Sequence, residues 1–137
     1  MSILRAAILA AFALFAASTP AQAKAQQQVF SGVSFFERTN IGAVDFAAAN
    51  IFYDERCVDP EFCFSSDQMA ISVILLSENG LAERIMRLGD RVRVPGGTLA
   101  LISVGTPPSD RGAIQLDRYS LTFVFTPDPP RRGPRGS

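Results

Sequence analysis

The stretch YSLTFVFT, residues 119–126, sets Tyr119, Leu121, Phe123 and Phe125 against Ser120, Thr122, Val124 and Thr126. A repeat of two is the repeat of extended chain, whose successive side chains point to opposite faces, and aromatic and β-branched residues pack well on a pleated surface. The segment is predicted as a half-buried antiparallel strand. One such strand needs neighbours, and the chain supplies them. VFSGVSFF from Val29 is a looser version of the pattern, and AANIFYD sets Ala49, Ile51 and Tyr53 against Asn50 and Phe52. MAISVILLS, Met69 to Ser77, is almost continuously apolar, as a strand covered on both sides should be, so it is placed in the centre of a sheet. TLALISV, Thr98 to Val104, adds another.

Strong punctuation separates these runs. Asn79-Gly80 favours a tight hairpin because both residues tolerate positive φ, and VPGGT and GTPPSDRG read as loops. LAERIMRLGD is ambiguous. Its helix formers and the spacing of Leu81, Ile85 and Leu88 permit a short helix ended by Gly89, whereas its position after a hairpin signal favours a strand. Short strands at regular spacing with little helix predict an all-β domain, a small antiparallel β-sandwich or barrel of about seven strands with at most one short helix.

The chain opens with Arg5, an apolar run over 6–17 and the small-residue sequence Ala21-Gln22-Ala23. That is the three-part grammar of a secretory signal peptide over 1–23, and the run is too short to span a bilayer. A flexible lead-in over 24–28, a domain over 29–126 and a disordered Pro/Arg-rich tail over 127–137 complete the expected organisation. No later run is long enough for a membrane helix, and no cysteine follows the leader to carry a lipid, so no stable membrane anchor is expected. The expected location is periplasmic or secreted.

Past residue 23, Lys24 and eleven arginines face 13 Asp and Glu. Nucleic acid is excluded as a partner on this balance, since phosphate binding needs a basic excess on one face.

Cys57 and Cys63 are the only cysteines. In an oxidising compartment two cysteines with five residues between them can close a small disulfide loop, whereas a redox pair favours Cys-x-x-Cys at a helix N-terminus. A structural disulfide is the expectation. With no histidine in the chain, two thiols do not complete a zinc or copper site, and no cofactor is expected. Asp54, Glu55, Asp59, Glu61 and Asp67 crowd the same loop around Arg56, and hard oxygen ligands suit calcium, so a calcium-stabilised loop over 54–67 is the alternative to a solvated acidic loop. The arginines at 84, 87, 91 and 93 are candidate counter-ions for it.

YDERCVDPEFCF and AIQLDRYSLTFVF together resemble a family of uncharacterised small exported bacterial proteins and lipoproteins. Its pattern is Asp-x-Arg-Cys-Pro, a second cysteine, an alternating strand and a C-terminal Tyr-x-Leu strand. The matching positions are Asp54, Arg56, Cys57, Cys63 and Tyr119, with Val58 at the family's proline. The resemblance implies an exported β-rich fold with a disulfide and implies no activity.

Asp54 and Arg56 lie two apart, which on a strand sends both to one face, and they are expected to form a structural ion pair beside the disulfide. Asp59, Glu61, Phe62, Phe64 and Asp67 make up the candidate binding loop, with 105–117 as the second rich loop. Most of the phenylalanines concentrated between 30 and 64 are expected in the core, Phe62 and Phe64 being the exceptions. The absence of histidine removes the commonest general base and every Ser-His or Cys-His pair, and Lys24 is poorly placed to act as one. A carboxylate hydrolase is the remaining catalytic alternative. The favoured reading is a small exported non-enzymatic module that binds another envelope or extracellular protein.

Overall fold

A computed structural model describes residues 26–59, 61, 63 and 68–133. The strands are β1 (Gln28–Val33), β2 (Thr39–Asn40), β3 (Asp45–Asp54), β4 (Met69–Ser77), β5 (Gly80–Arg87), β6 (Arg91–Val94), β7 (Gly97–Val104) and β8 (Leu121–Pro127), with a 3-10 turn over Leu116–Arg118. They form two antiparallel four-stranded sheets, ordered β1-β8-β7-β6 and β2-β3-β4-β5, a small β-sandwich. Eight strands stand where about seven were expected, because β2 is only two residues long and leaves no periodic signal. The ambiguous 81–88 stretch is strand as far as Arg87: β5 pairs with β4 residue for residue from Ser77↔Gly80 to Ala70↔Arg87.

The core forms where the two inner faces meet. Leu121, Phe123 and Phe125 are buried on β8, as the alternation predicts, and Leu99 and Leu101 flank them on β7. Met69, Ile71, Val73 and Leu75 face them from β4, which lies inside its sheet between β3 and β5. Phe46 of β3 meets Phe123 edge-on with ring centroids 4.8 Å apart, so an aromatic pair ties one sheet to the other.

Glycine makes two of the turns. At the β4–β5 hairpin only Gly80 has positive φ (103°), not Asn79, so the chain makes its reversal with a left-handed residue just past the turn. At the β6–β7 hairpin Pro95 is followed by Gly96 at φ 87°, the order a type II turn requires. The β5–β6 corner passes between the sheets, with Leu88 N–H on the Met69 carbonyl (2.9 Å) and Gly89 N–H on the Leu101 carbonyl (2.8 Å).

Strand edges are blunted in different ways. β1 is irregular between Phe30 and Val33, β2 and β6 are short, and on β5 the Arg84 guanidinium donates to the Glu83 carbonyl (2.9 Å). Arg93 bridges Asp128 (2.6 Å), so this expected counter-ion of the acidic loop is engaged elsewhere. That bridge and the Asp128 N–H bond to the Gly96 carbonyl tie Asp128 to the β6–β7 hairpin, and β8 itself runs through Pro127. Phe36 (69% exposed) and Phe52 (53%) lie outside the core, contrary to expectation, while Phe35 and Phe46 lie in it. No helix among the described residues is long and apolar enough to cross a membrane. The proposed leader, residues 1–23, lies outside the described residues.

Candidate functional site

Two bulges in β3 build one end of the sandwich. Its register with β4 slips between Ala48 and Asn50 and again between Ile51 and Tyr53, leaving Ala49 and Phe52 as extra residues. Each bulge reverses which face the next residue takes. The first turns Ile51 inward, opposite Ile71, and leaves Asn50 and Phe52 exposed; the second restores the phase, so Asp54 lies opposite inward-facing Met69. The last residue of the strand is thus a carboxylate aimed at the end of the core.

Asp54 is fully engaged there. Its Oδ1 accepts from Arg56 Nε (2.8 Å), and its Oδ2 accepts from Arg56 Nη2 (3.0 Å) and from the Tyr119 hydroxyl (2.7 Å). The pair does not arise from strand alternation as expected. β3 stops at Asp54, and the chain turns so that Arg56 N–H also points back at Oδ1 (3.3 Å). Arg56 then reaches across to the second loop, its Nη1 donating to the Thr106 carbonyl (2.5 Å). Thr106 is itself fixed, its hydroxyl donating to the Arg118 carbonyl (2.7 Å) and accepting from Ser120 N–H (2.9 Å). Tyr119 lies just ahead of β8 and packs edge-on against Phe35, with the Arg56 guanidinium 5.9 Å from its ring centroid.

Side-chain exposure is 7% for Arg56 and 14% for Asp54, so this is a largely desolvated knot and not a surface pair. Burial alone would raise the Asp54 carboxyl, but hydrogen bonds from Arg56 and Tyr119 and the guanidinium charge outweigh it and hold the group below its ordinary value. Tyr119 is pushed up to about 12 by burial, by its bond to Asp54 and by that residue's charge. A carboxylate held ionised and a phenol held protonated through the neutral range are poorly matched to proton exchange, which works best near the ambient pH. What this arrangement does well is fasten two loops together.

Cys57 and Cys63 form a disulfide with Cα atoms 5.5 Å apart. The base of its loop is closed by the Glu55 N–H bond to the Gln68 carbonyl (2.7 Å). Asp59 and Glu61 are exposed, and the Asp59 carboxylate accepts from Glu61 N–H (3.0 Å). Phe62, Phe64 and Asp67 of the candidate loop lie outside the described residues. Among the described residues no three His, Cys, Asp or Glu side chains converge on a metal-sized space, and both Asp54 carboxylate oxygens are bonded within the knot.

Above the knot a cavity of about 350 Å³ opens between the end of β3 and the 105–117 loop. Ile51, Pro108, Ile114 and Leu116 form much of its wall, and Asp54, Arg56 and Tyr119 contribute its polar part. The structure therefore brings the disulfide loop and the 105–117 loop to one end of the sandwich. The Tyr119–Asp54 contact was not anticipated from sequence, although one signal was available: a tyrosine on a buried face needs a partner for its hydroxyl. Comparison with protein-family models, curated proteins and solved structures finds no match to this chain.

Proposed function

We propose that this chain is a small exported, non-enzymatic binding module of the bacterial envelope, which recognises another envelope or extracellular protein through the loop-bearing end of its sandwich. The observation that carries the reading is the Asp54–Arg56–Tyr119 knot. It spends a buried ion pair and a buried tyrosine on holding two irregular loops beside a half-apolar cavity, and rigid loops on a β scaffold are the usual place for recognition. Export is supported by the leader grammar of residues 1–23 and by the disulfide, which suits an oxidising compartment. The resemblance to small exported bacterial proteins, which rests on Asp54, Arg56, Cys57, Cys63 and Tyr119, agrees with this reading.

A photo-crosslinking residue placed at Ala113, on the cavity rim, tests it in the native envelope. The expected result is one discrete adduct to one protein, lost when Arg56→Ala releases the loops. Adducts no different from those of the same probe at Val29, on the outside of the other sheet, would contradict it.

A further inference from the structure

The outer face of the β2-β3-β4-β5 sheet carries an apolar surface remote from the knot. Leu76 pairs with Leu81 beside the β4–β5 hairpin, and Ile74 continues the stripe next to Ala47. Leu81 is 73% exposed and Ile85, further along β5, is 58% exposed. Phe36 borders the same shallow depression from the β2 side.

Phe36 is held there at a conformational cost. Its φ of 65° makes it the one non-glycine residue with positive φ among the described residues, a strained conformation for a bulky side chain. Its N–H bonds the Ala48 carbonyl (2.8 Å), and the turn around it is closed by Ser34 N–H on Glu37 Oε2 (2.8 Å) and Glu37 N–H on the Ser34 carbonyl (3.2 Å). Strain that persists because its surroundings fix it, and that leaves an aromatic ring in water, points to a use for the ring on that surface.

Each margin of this face presents a charged side chain. Arg38, one residue ahead of the Thr39↔Phe46 pair, lies on the β2 margin and is 65% exposed while its guanidinium is anchored on Asp45. Glu83 is exposed on the β5 margin, paired with Ile74 of β4. The geometry points to a second copy of this chain as the occupant of the face. A two-fold axis lying in the contact plane and running along the strands lays each β2 margin over the other copy's β5 margin. Phe36 then faces the exposed apolar side of β5 in the second copy, and Arg38 lies level with its Glu83. The apolar ring falls on apolar side chains and the cation on the anion. Continuation of the sheet through β5 is disfavoured, because Arg84 covers an edge carbonyl.

Light scattering on the purified chain over a concentration series reads this directly. The expected mass is twice that of one chain. Glu83→Arg and Leu81→Asp are each expected to return the mass to that of a monomer with an unchanged circular dichroism melt, since both side chains are exposed. Arg38→Glu is expected to do the same, and combining Arg38→Glu with Glu83→Arg to restore the dimer. A wild-type chain that is monomeric throughout would overturn the inference and leave the face to another envelope protein or a lipid surface. A dimer indifferent to Glu83→Arg and Leu81→Asp would overturn it equally.

Discussion

The hydroxyl of Tyr119 donates a 2.7 Å hydrogen bond to Oδ2 of Asp54, joining residues 65 positions apart in the chain. Through it the end of β3, the disulfide loop and the approach to β8 become one unit. The bond completes a carboxylate already held by Nε and Nη2 of the Arg56 guanidinium.

Removing the cation should therefore cost more than removing the phenol. Arg56→Ala leaves a desolvated carboxylate without its counter-charge and is expected to lower unfolding free energy by about 3 kcal/mol. Tyr119→Phe removes one hydrogen bond to a charged group and is expected to cost about 1–2 kcal/mol. Arg93→Ala supplies the contrast: Arg93 grips Asp128 with two short bonds, yet both are solvent-exposed, and no measurable change is expected. Chemical denaturation of the three variants checks the order, and equal effects for Arg56→Ala and Arg93→Ala would refute it.

The same bonds set the pH response. The folded value of Asp54 is lowered, so its stabilisation is complete above the unfolded value of about 3.9 and is lost as pH falls through the folded one. The acid limb of the stability curve should flatten in Asp54→Asn. Tyr119 is raised to about 12, so its contribution is complete below the unfolded value of about 10 and is lost as pH climbs from there toward about 12. A tyrosinate titration should place one of the two tyrosines near 12, falling toward its ordinary value in Asp54→Asn. A Tyr119 titration that the substitution leaves unmoved would count against the account.

The disulfide closes a loop with a sequence separation of 6, short enough that cross-linking constrains the unfolded chain only modestly. Replacing Cys57 and Cys63 by serine is expected to cost about 2 kcal/mol and to leave the β-sheet circular dichroism spectrum intact. Loss of the spectrum would mean that the clasp, and not the Phe46–Phe123 core, defines the fold.

Gly97 faces a different constraint. A Cβ at this position would collide with the Thr126 carbonyl oxygen and approach the Phe125 ring to 2.8 Å. Gly97→Ala is expected to destabilise by about 2 kcal/mol or more, because strand backbone cannot step aside as a flexible side chain can. Gly112, with φ 111° and open space around it, should tolerate alanine at about 1 kcal/mol, the cost of its backbone conformation alone. Thermal melts of the two variants test the difference, and a Gly97→Ala melt no lower than that of Gly112→Ala would contradict it.

What could be read from sequence follows the range of the interactions. The inward face of β8 and the interior position of β4 were legible, because alternation and continuous apolarity are local consequences of burial on one or two faces. Phe36 and Phe52 were misplaced in the core because a left-handed residue and a β3 bulge turn them outward, and neither leaves a periodic trace. Asp54 and Arg56 were legible as a pair by proximity, but the turn that joins them was not. Tyr119 and Thr106 entered the knot unseen, since contacts between distant segments are set by how the two sheets pack.

The most direct test of the central claim is amide hydrogen exchange across 105–118 in wild type and Arg56→Ala. If the knot fastens the loops, exchange should accelerate in that segment and in 55–59 while β4 and β8 stay protected. Unchanged protection of 105–118 without the guanidinium would show that the loops hold themselves, and the account of this end of the molecule would fail.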